Sequence, residues 1–132
     1  MAKHNDLVYL GHVLDAIDKI EDYTAGVNET KFKSTPLIQD GVIRQIEIIG
    51  EALRNVSRVF REKYAYLPWD DAIGMRDKLV HDYMGVDLDK VWETKTLDIP
   101  RLKEWTSQIV EANDFIDPAM IWRLDHSDTR KR

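Results

Sequence analysis

Apolar residues recur at steps of three and four along most of this chain, the period of an amphipathic helix rather than of a strand. Leu7, Leu10, Leu14, Ile17 and Ile20 form the first stripe, predicting a helix from Asp6 as N-cap to about Gly26 as its stop. Val27 to Pro36 is polar and mixed, a connector with a turn of helix at Glu29 to Lys33, and Pro36 is suited to open the next helix. That second helix is expected to run from Pro36 to Tyr64 and to bury Ile38, Val42, Ile46, Ile49, Leu53, Val56 and Phe60. Val42, Ile43, Ile46, Ile48 and Ile49 make its apolar face too broad for one partner helix, so it should touch two neighbours or a second subunit. Gly50 in its interior costs about 1 kcal/mol of helix stability relative to Ala, a cost that close approach of another backbone would explain.

Leu67-Pro68-Trp69-Asp70 interrupts the period. Asp70 can cap a third helix carrying Ile73, Met75, Arg76, Val80, His81 and Tyr83 before Gly85 ends it. Asp87 can cap a fourth, from Leu88 to about Leu97, with Val91 and Trp92 turned inward. Pro100 then starts a fifth helix or kinks the fourth, and Leu102, Trp105, Ile109, Ala112 and Ile116 continue the stripe. No strand-like alternation of useful length appears. The pattern therefore predicts an all-α bundle of four to five helices in one domain, residues 1–117, followed by a polar C-terminal tail, 118–132.

Composition narrows the chemistry. A chain of 132 residues is one domain by length. Cysteine is absent, which removes disulfides, thiolate nucleophiles and zinc-thiolate sites. His4, His12, His81 and His126 form no metal-binding spacing, so neither a metal nor a cofactor is expected. There is no bilayer-length apolar run, and the opening MAKHNDLVYL lacks a signal-peptide stretch, so the expected location is cytoplasmic, with no membrane contact. The net charge of −5 argues against broad electrostatic binding of nucleic acid. Any RNA substrate must then be held by a local cationic cleft.

The segment RDKLVHDY places Arg76, His81 and Tyr83 on one short stretch: a permanent cation, an imidazole and a phenol. On an α-helix Asp77 and His81 would be i, i+4 neighbours, so Asp77 could orient the imidazole, and Arg76 and Tyr83 would share a face. A helix C-terminus together with Asp77 and Asp82 would raise the His81 pKa. These groups suit transesterification of RNA, in which the ribose 2′-OH attacks the adjacent phosphorus while Arg76 stabilises the phosphoryl oxygens. One histidine is short of the two acid-base groups this scheme uses, and a symmetric dimer apposing two third helices would supply a second His81.

Read on spacing alone, an Arg and a His on a helix are more often surface or cap residues than catalysts, and Tyr83 more often packs than reacts. Arg44, Glu47 and Glu51 on the second helix fit either a polar stripe beside the cleft or, by default, a solvated ion pair. Trp69, Trp92 and Trp105 are expected in the core rather than as base-stacking platforms, with Trp122 left open. Arg130, Lys131 and Arg132 are read as a solvated tail.

LPWDDAIGMRDKLVHDYMGVDLDKVW, together with VIRQIEIIGEALRNVS and YLGHVLDAIDKIEDYTAG, resembles the HEPN superfamily, specifically its HepT-like branch of toxins, over roughly Leu7 to Ile116. The resemblance implies an all-α HEPN bundle, a homodimer with both motifs facing one cleft, and metal-independent endoribonuclease activity on RNA. It carries over Arg76 and His81 as catalytic and Asp77 as the supporting polar position, where family members often have Asn. It also implies a partner, an antitoxin of the minimal nucleotidyltransferase type, which inactivates such toxins by transferring AMP to the motif tyrosine, Tyr83 here. The rival reading is a non-catalytic HEPN subunit that binds nucleotide or docks to the nucleotidyltransferase. The two part over His81, which only the nuclease requires. A third reading, a structural helical adaptor, needs none of the motif side chains beyond stability.

Overall fold

The computed structural model describes residues 3–80 and 85–113, with side chains from Asn5 onward. His81, Asp82, Tyr83, Trp122, His126 and the tail 118–132 lie outside the described residues, as does the side chain of His4. The described residues are helical apart from turns and one isolated antiparallel bridge, Val80 with Val86. Helix α1 (Lys3–Thr24) lies against α3 (Pro36–Asn55) and α7 (Ile99–Ala112), and α2 (Glu29–Lys33), α4 (Arg58–Lys63), α5 (Trp69–Ile73) and α6 (Leu88–Glu93) fill the connections. None of the described helices is long and apolar enough to cross a membrane.

The stripes read from the sequence form the core. Leu7, Leu10, Ile17 and Ile20 of α1 and Val42, Ile46, Ile49 and Leu53 of α3 are buried, with Val13 replacing the expected Leu14, which is half-buried. Asn28 caps α2 by accepting from the Lys31 amide (2.8 Å), Pro36 opens α3, and Asp87 caps α6 by accepting from the Lys90 amide (3.0 Å). Gly26, at φ +72, takes the left-handed position that ends α1. The broad face of α3 is used within the chain, since it meets α1 on one side and α2, α5 and α6 on others.

Three expected elements differ. Helix α1 begins at Lys3, so Asp6 is not its N-cap. The buried Asp6 carboxylate instead accepts from the amide (2.8 Å) and hydroxyl (2.9 Å) of Ser57. This contact also splits the expected 36–64 helix, because the Ser57 amide is given to Asp6 and the Ser57 hydroxyl caps α4 by accepting from the Phe60 amide (3.1 Å). At the far end of α4, Asn113 donates through its side-chain Nδ2 to the Tyr64 hydroxyl (2.9 Å), tying that segment to α7.

The third helix is the largest departure. Helix α5 stops at Gly74, whose amide donates to the Asp70 carbonyl (3.0 Å), and Met75–Lys78 form a tighter 3₁₀ turn, hereafter the motif turn. Met75 and the fully buried Leu79 anchor this turn in the core. The chain then leaves helical geometry, with Val80 paired to Val86 and the Asp87 amide donating to the Leu79 carbonyl (2.8 Å). Arg76 therefore sits in a 3₁₀ turn rather than on the expected α-helix, and the expected i, i+4 relation of Asp77 to His81 reaches outside the described residues. Near the C-terminal end, α6 and α7 run on through a π-turn, Thr94–Asp98, in which the Ile99 amide donates to the Thr94 carbonyl. Pro100 lacks an amide hydrogen and crowds the preceding turn, so of the two expected outcomes, a new fifth helix or a perturbed fourth, the helix runs on through a widened turn ahead of it.

Gly50 is the close approach expected of it: a Cβ there would lie 2.9 Å from the Ile73 carbonyl oxygen. Gly11 of α1 has nothing within 4 Å of its Cβ position. Alanine should thus have opposite effects at these two helical glycines. Gly11→Ala should raise stability by up to about 1 kcal/mol through helix propensity. Gly50→Ala should lower it by about 1–3 kcal/mol because backbone must move. Thermal or urea unfolding of the two variants checks the sign, and a stabilised Gly50→Ala would show that α3 and α5 are not held at this spacing.

Candidate active site

On α3, Glu47, Gly50, Glu51 and Arg54 follow the i, i+3, i+4, i+7 rule and so occupy one face. That face forms one wall of a cleft of about 240 Å³, and Ile73, Arg76 and Asp77 form the other. The missing side chain at Gly50 lets the end of α5 close onto α3, bringing the motif turn within reach of Glu47. Arg76 donates through Nε to Glu47 Oε2 (3.1 Å), and Glu47 Oε1 accepts from Arg44 Nη1 (3.3 Å). Arg76 Nη1 stands 3.8 Å from Asp77 Oδ1, an ion pair beyond hydrogen-bond length.

Glu47 thus bridges two guanidinium groups. The Arg44 pair is a solvated contact like the i, i+4 pair expected by default, made instead at i, i+3, and the polar stripe is present as well, because the same carboxylate continues to Arg76. Side-chain exposures of 43% for Arg76 and 30% for Glu47 place the contact at the cleft mouth, where an ion pair contributes about 0–1 kcal/mol and its main effect is orientation. With Nε engaged, the Nη donors of Arg76 remain for an oxyanion. Asp77 is largely solvent-facing.

Among the described residues, three carboxylates, Glu47, Glu51 and Asp77, line the cleft beside two guanidinium groups, Arg54 and Arg76, so this part of its wall is mixed in charge. The cause is that the α3 stripe supplies acid to hold the arginine. His81 and Tyr83 lie outside the described residues; of the motif's candidate groups, the described cleft carries Arg76 and Asp77. Among the described residues, no group of three or more His, Asp or Glu side chains is arranged to hold a metal.

The tryptophans pack largely as expected. Trp69 is buried, donates to the Tyr64 carbonyl (3.0 Å) and meets Trp105 edge-on, with ring centres 5.1 Å apart. Trp92 packs on Phe32, and the Lys95 ammonium stands 4.8 Å from its ring centre. Trp105 is only half-buried. The residue underweighted by sequence reasoning is Glu47. The available signal was its place one turn before Gly50, on the face that the glycine opens.

Comparison with known proteins gives a consistent family. The family model described as ribonuclease HepT-like matches residues 13–109. The chain is 48% identical over 107 residues to a Methanocaldococcus jannaschii protein named as a gamma-glutamylcyclotransferase and candidate RNase, covering 81% of this chain and 48% of that protein. It therefore spans about half the length of that relative. It is 37% identical over 103 residues to a Caldanaerobacter subterraneus protein named as a candidate RNase, covering 78% of this chain and 92% of the relative. It is also 41% identical over 100 residues to a Thermococcus cleftensis protein named probable ribonuclease HepT, covering 76% of this chain and 89% of the relative. No solved structure matches the chain. On this agreement between motif, helical fold and relatives, the chain belongs to the HepT-like ribonuclease family.

Proposed function

We propose that this chain is a metal-independent endoribonuclease, the toxin of a toxin-antitoxin pair. The observation that carries the reading is Arg76, the first residue of the family's motif, standing at a cleft mouth with its Nε held and its other donors available. Membership of a ribonuclease family and the names of the relatives support RNA as substrate.

In the proposed reaction a base removes the proton of a ribose 2′-OH, and that oxygen attacks the adjacent phosphorus. The bond from phosphorus to the 5′-oxygen breaks, and an acid protonates the departing oxygen. The products are a 2′,3′-cyclic phosphate and a 5′-hydroxyl. His81 provides one acid-base group, a homodimer brings the second His81 to the same cleft, and Arg76 stabilises charge on the non-bridging oxygens. Glu47 is a positioning residue acting through Arg76. The partner is a minimal nucleotidyltransferase antitoxin: the Tyr83 oxygen attacks the α-phosphorus of ATP, the phenolic proton is lost and pyrophosphate departs. The AMP phosphate left on Tyr83 then competes with RNA for Arg76. The excess of carboxylates among the described lining residues favours, within the second reading of a non-catalytic HEPN subunit that binds nucleotide or docks to that nucleotidyltransferase, its docking form.

Purified, unmodified protein should cleave cellular RNA in EDTA and leave cyclic phosphate ends. His81→Ala and Arg76→Ala should each lower the rate by roughly 10²-fold or more. No cleavage by folded protein free of AMP would favour the docking subunit.

Glu47→Ala should lower kcat by roughly 10–100-fold with little change in KM or melting temperature, because the guanidinium loses its alignment. Glu47→Gln, which keeps an acceptor, should recover part of the loss. A faster Glu47→Ala enzyme would show instead that Glu47 competes with substrate for Arg76.

With the nucleotidyltransferase and ATP, the mass of the chain should rise by whole AMP units located on Tyr83. Undiminished modification of Tyr83→Phe would place the acceptor elsewhere.

A further inference from the structure

The motif turn has two sides. A 3₁₀ turn aligns residues three apart, and Met75 and Lys78 both line a second cavity, away from the Arg76 cleft, between this turn and the α6–π–α7 segment. Its volume is about 340 Å³, within the range of small-ligand sites. The interior is apolar: Ala72, Met75 and Leu102 are buried, and the half-buried Trp105 forms a wall, steadied by its edge contact with Trp69.

The rim is charged and mixed. Lys78, Lys90 and Arg101 supply three cations, Asp71 and Asp98 two carboxylates. Lys90 already pairs with Glu93 (3.2 Å), whereas among the described residues no ion pair engages Lys78 or Arg101. The π-turn gives this rim its form. It places Thr94 and Asp98, and one turn on Arg101, along the same wall, and wide turns of this kind within helices are frequent at functional sites.

We propose that this cavity is a subsite for one nucleotide unit. Trp105 and Met75 receive the base, since a flat aromatic face and a thioether accept any base by stacking and contact. Lys78 and Arg101 receive the phosphate, the chemistry to which unpaired ammonium and guanidinium groups are suited. Asp71 and Asp98 accept hydrogen bonds from base amines or ribose hydroxyls. A purely anionic ligand would be repelled by those carboxylates, and an uncharged one would leave both cations unanswered. A nucleotide satisfies both sets.

The inference rests on the RNA-cleavage reading in one respect: the favoured occupant is a nucleotide of the bound RNA strand near the cleavage point, because the Arg76 cleft and this cavity lie on opposite sides of one short turn that a strand can pass around. Free nucleotide shares the chemistry and is the other source. Lys78 and Arg101 are exposed, so Lys78→Gln and Arg101→Gln should fold normally, which melting curves verify.

The test titrates full-length protein with AMP by calorimetry and with non-cleavable 2′-O-methyl oligonucleotides of two to six residues by fluorescence anisotropy. RNA cleavage is measured on the same samples. Oligonucleotide affinity and cleavage KM should each weaken about 10-fold per variant, with kcat nearly unchanged. AMP binding weakened to the same degree would assign the subsite to free nucleotide as well, whereas AMP that fails to bind beside variant-sensitive oligonucleotides would assign it to RNA alone. Variants that bind both ligands like the wild type overturn the subsite even if the wild type cleaves RNA. AMP binding that depends on Arg101 in a protein that cleaves nothing keeps the subsite and removes the nuclease reading.

Discussion

The approach of the Ile73 carbonyl to Gly50 is the contact on which the arrangement of this protein depends. It lets α5 close onto α3 at a distance no side chain would permit, and thereby sets the height of the motif turn over the α3 face. From that height Arg76 reaches Glu47, one helical turn away from Gly50, at 3.1 Å. Burial of Met75 and Leu79 then fixes the turn from beneath, so the position of the cationic head follows from packing and not from the ion pair. The order of magnitudes agrees: core side chains stabilise by about 1.5–3 kcal/mol each, a half-exposed ion pair by about 0–1 kcal/mol. Packing places the arginine, and the carboxylate aims it.

This division explains why an acidic protein of an RNA-cleaving family carries acid in the cleft itself. A guanidinium on a four-bond stem samples many rotamers, and a carboxylate on a rigid helix selects among them. The orientation comes with a partial loss of positive potential, which has to be recovered elsewhere. Arg44, on the far side of Glu47, restores part of it, and Lys78 of the motif turn and Arg101 of α7 add cations at the rim of the neighbouring cavity.

Much of the architecture was legible in the sequence because it depends on local period and local caps. The α1 and α3 stripes, the cap at Asp87, the stop at Gly26 and the demand of Gly50 for a close neighbour are all visible within a window of a few residues. What was hidden rests on partners far apart in the chain. Asp6 has the composition of an N-cap, and only its contact with Ser57, 51 residues away, reveals that it divides α3 from α4. Glu47 reads as half of an i, i+3 pair until Arg76 arrives from 29 residues further on. The cavity beside Trp105 was invisible for the same reason, since its walls come from three separate segments.

The motif turn itself was misread as α-helix because the apolar positions Ile73, Met75, Leu79 and Val80 satisfy a helical period nearly as well as a tighter one. The distinction has chemical consequences. An α-helix would present Arg76 and Lys78 about 200° apart but would commit each carbonyl to a partner four residues on. The 3₁₀ turn closes early, at Leu79, and releases the chain into the Val80 to Val86 bridge just where the motif continues. Arg76 is thereby held over the buried side chains of Met75 and Leu79 at the cleft mouth, where a guanidinium fixed from beneath presents its remaining donors at a defined point.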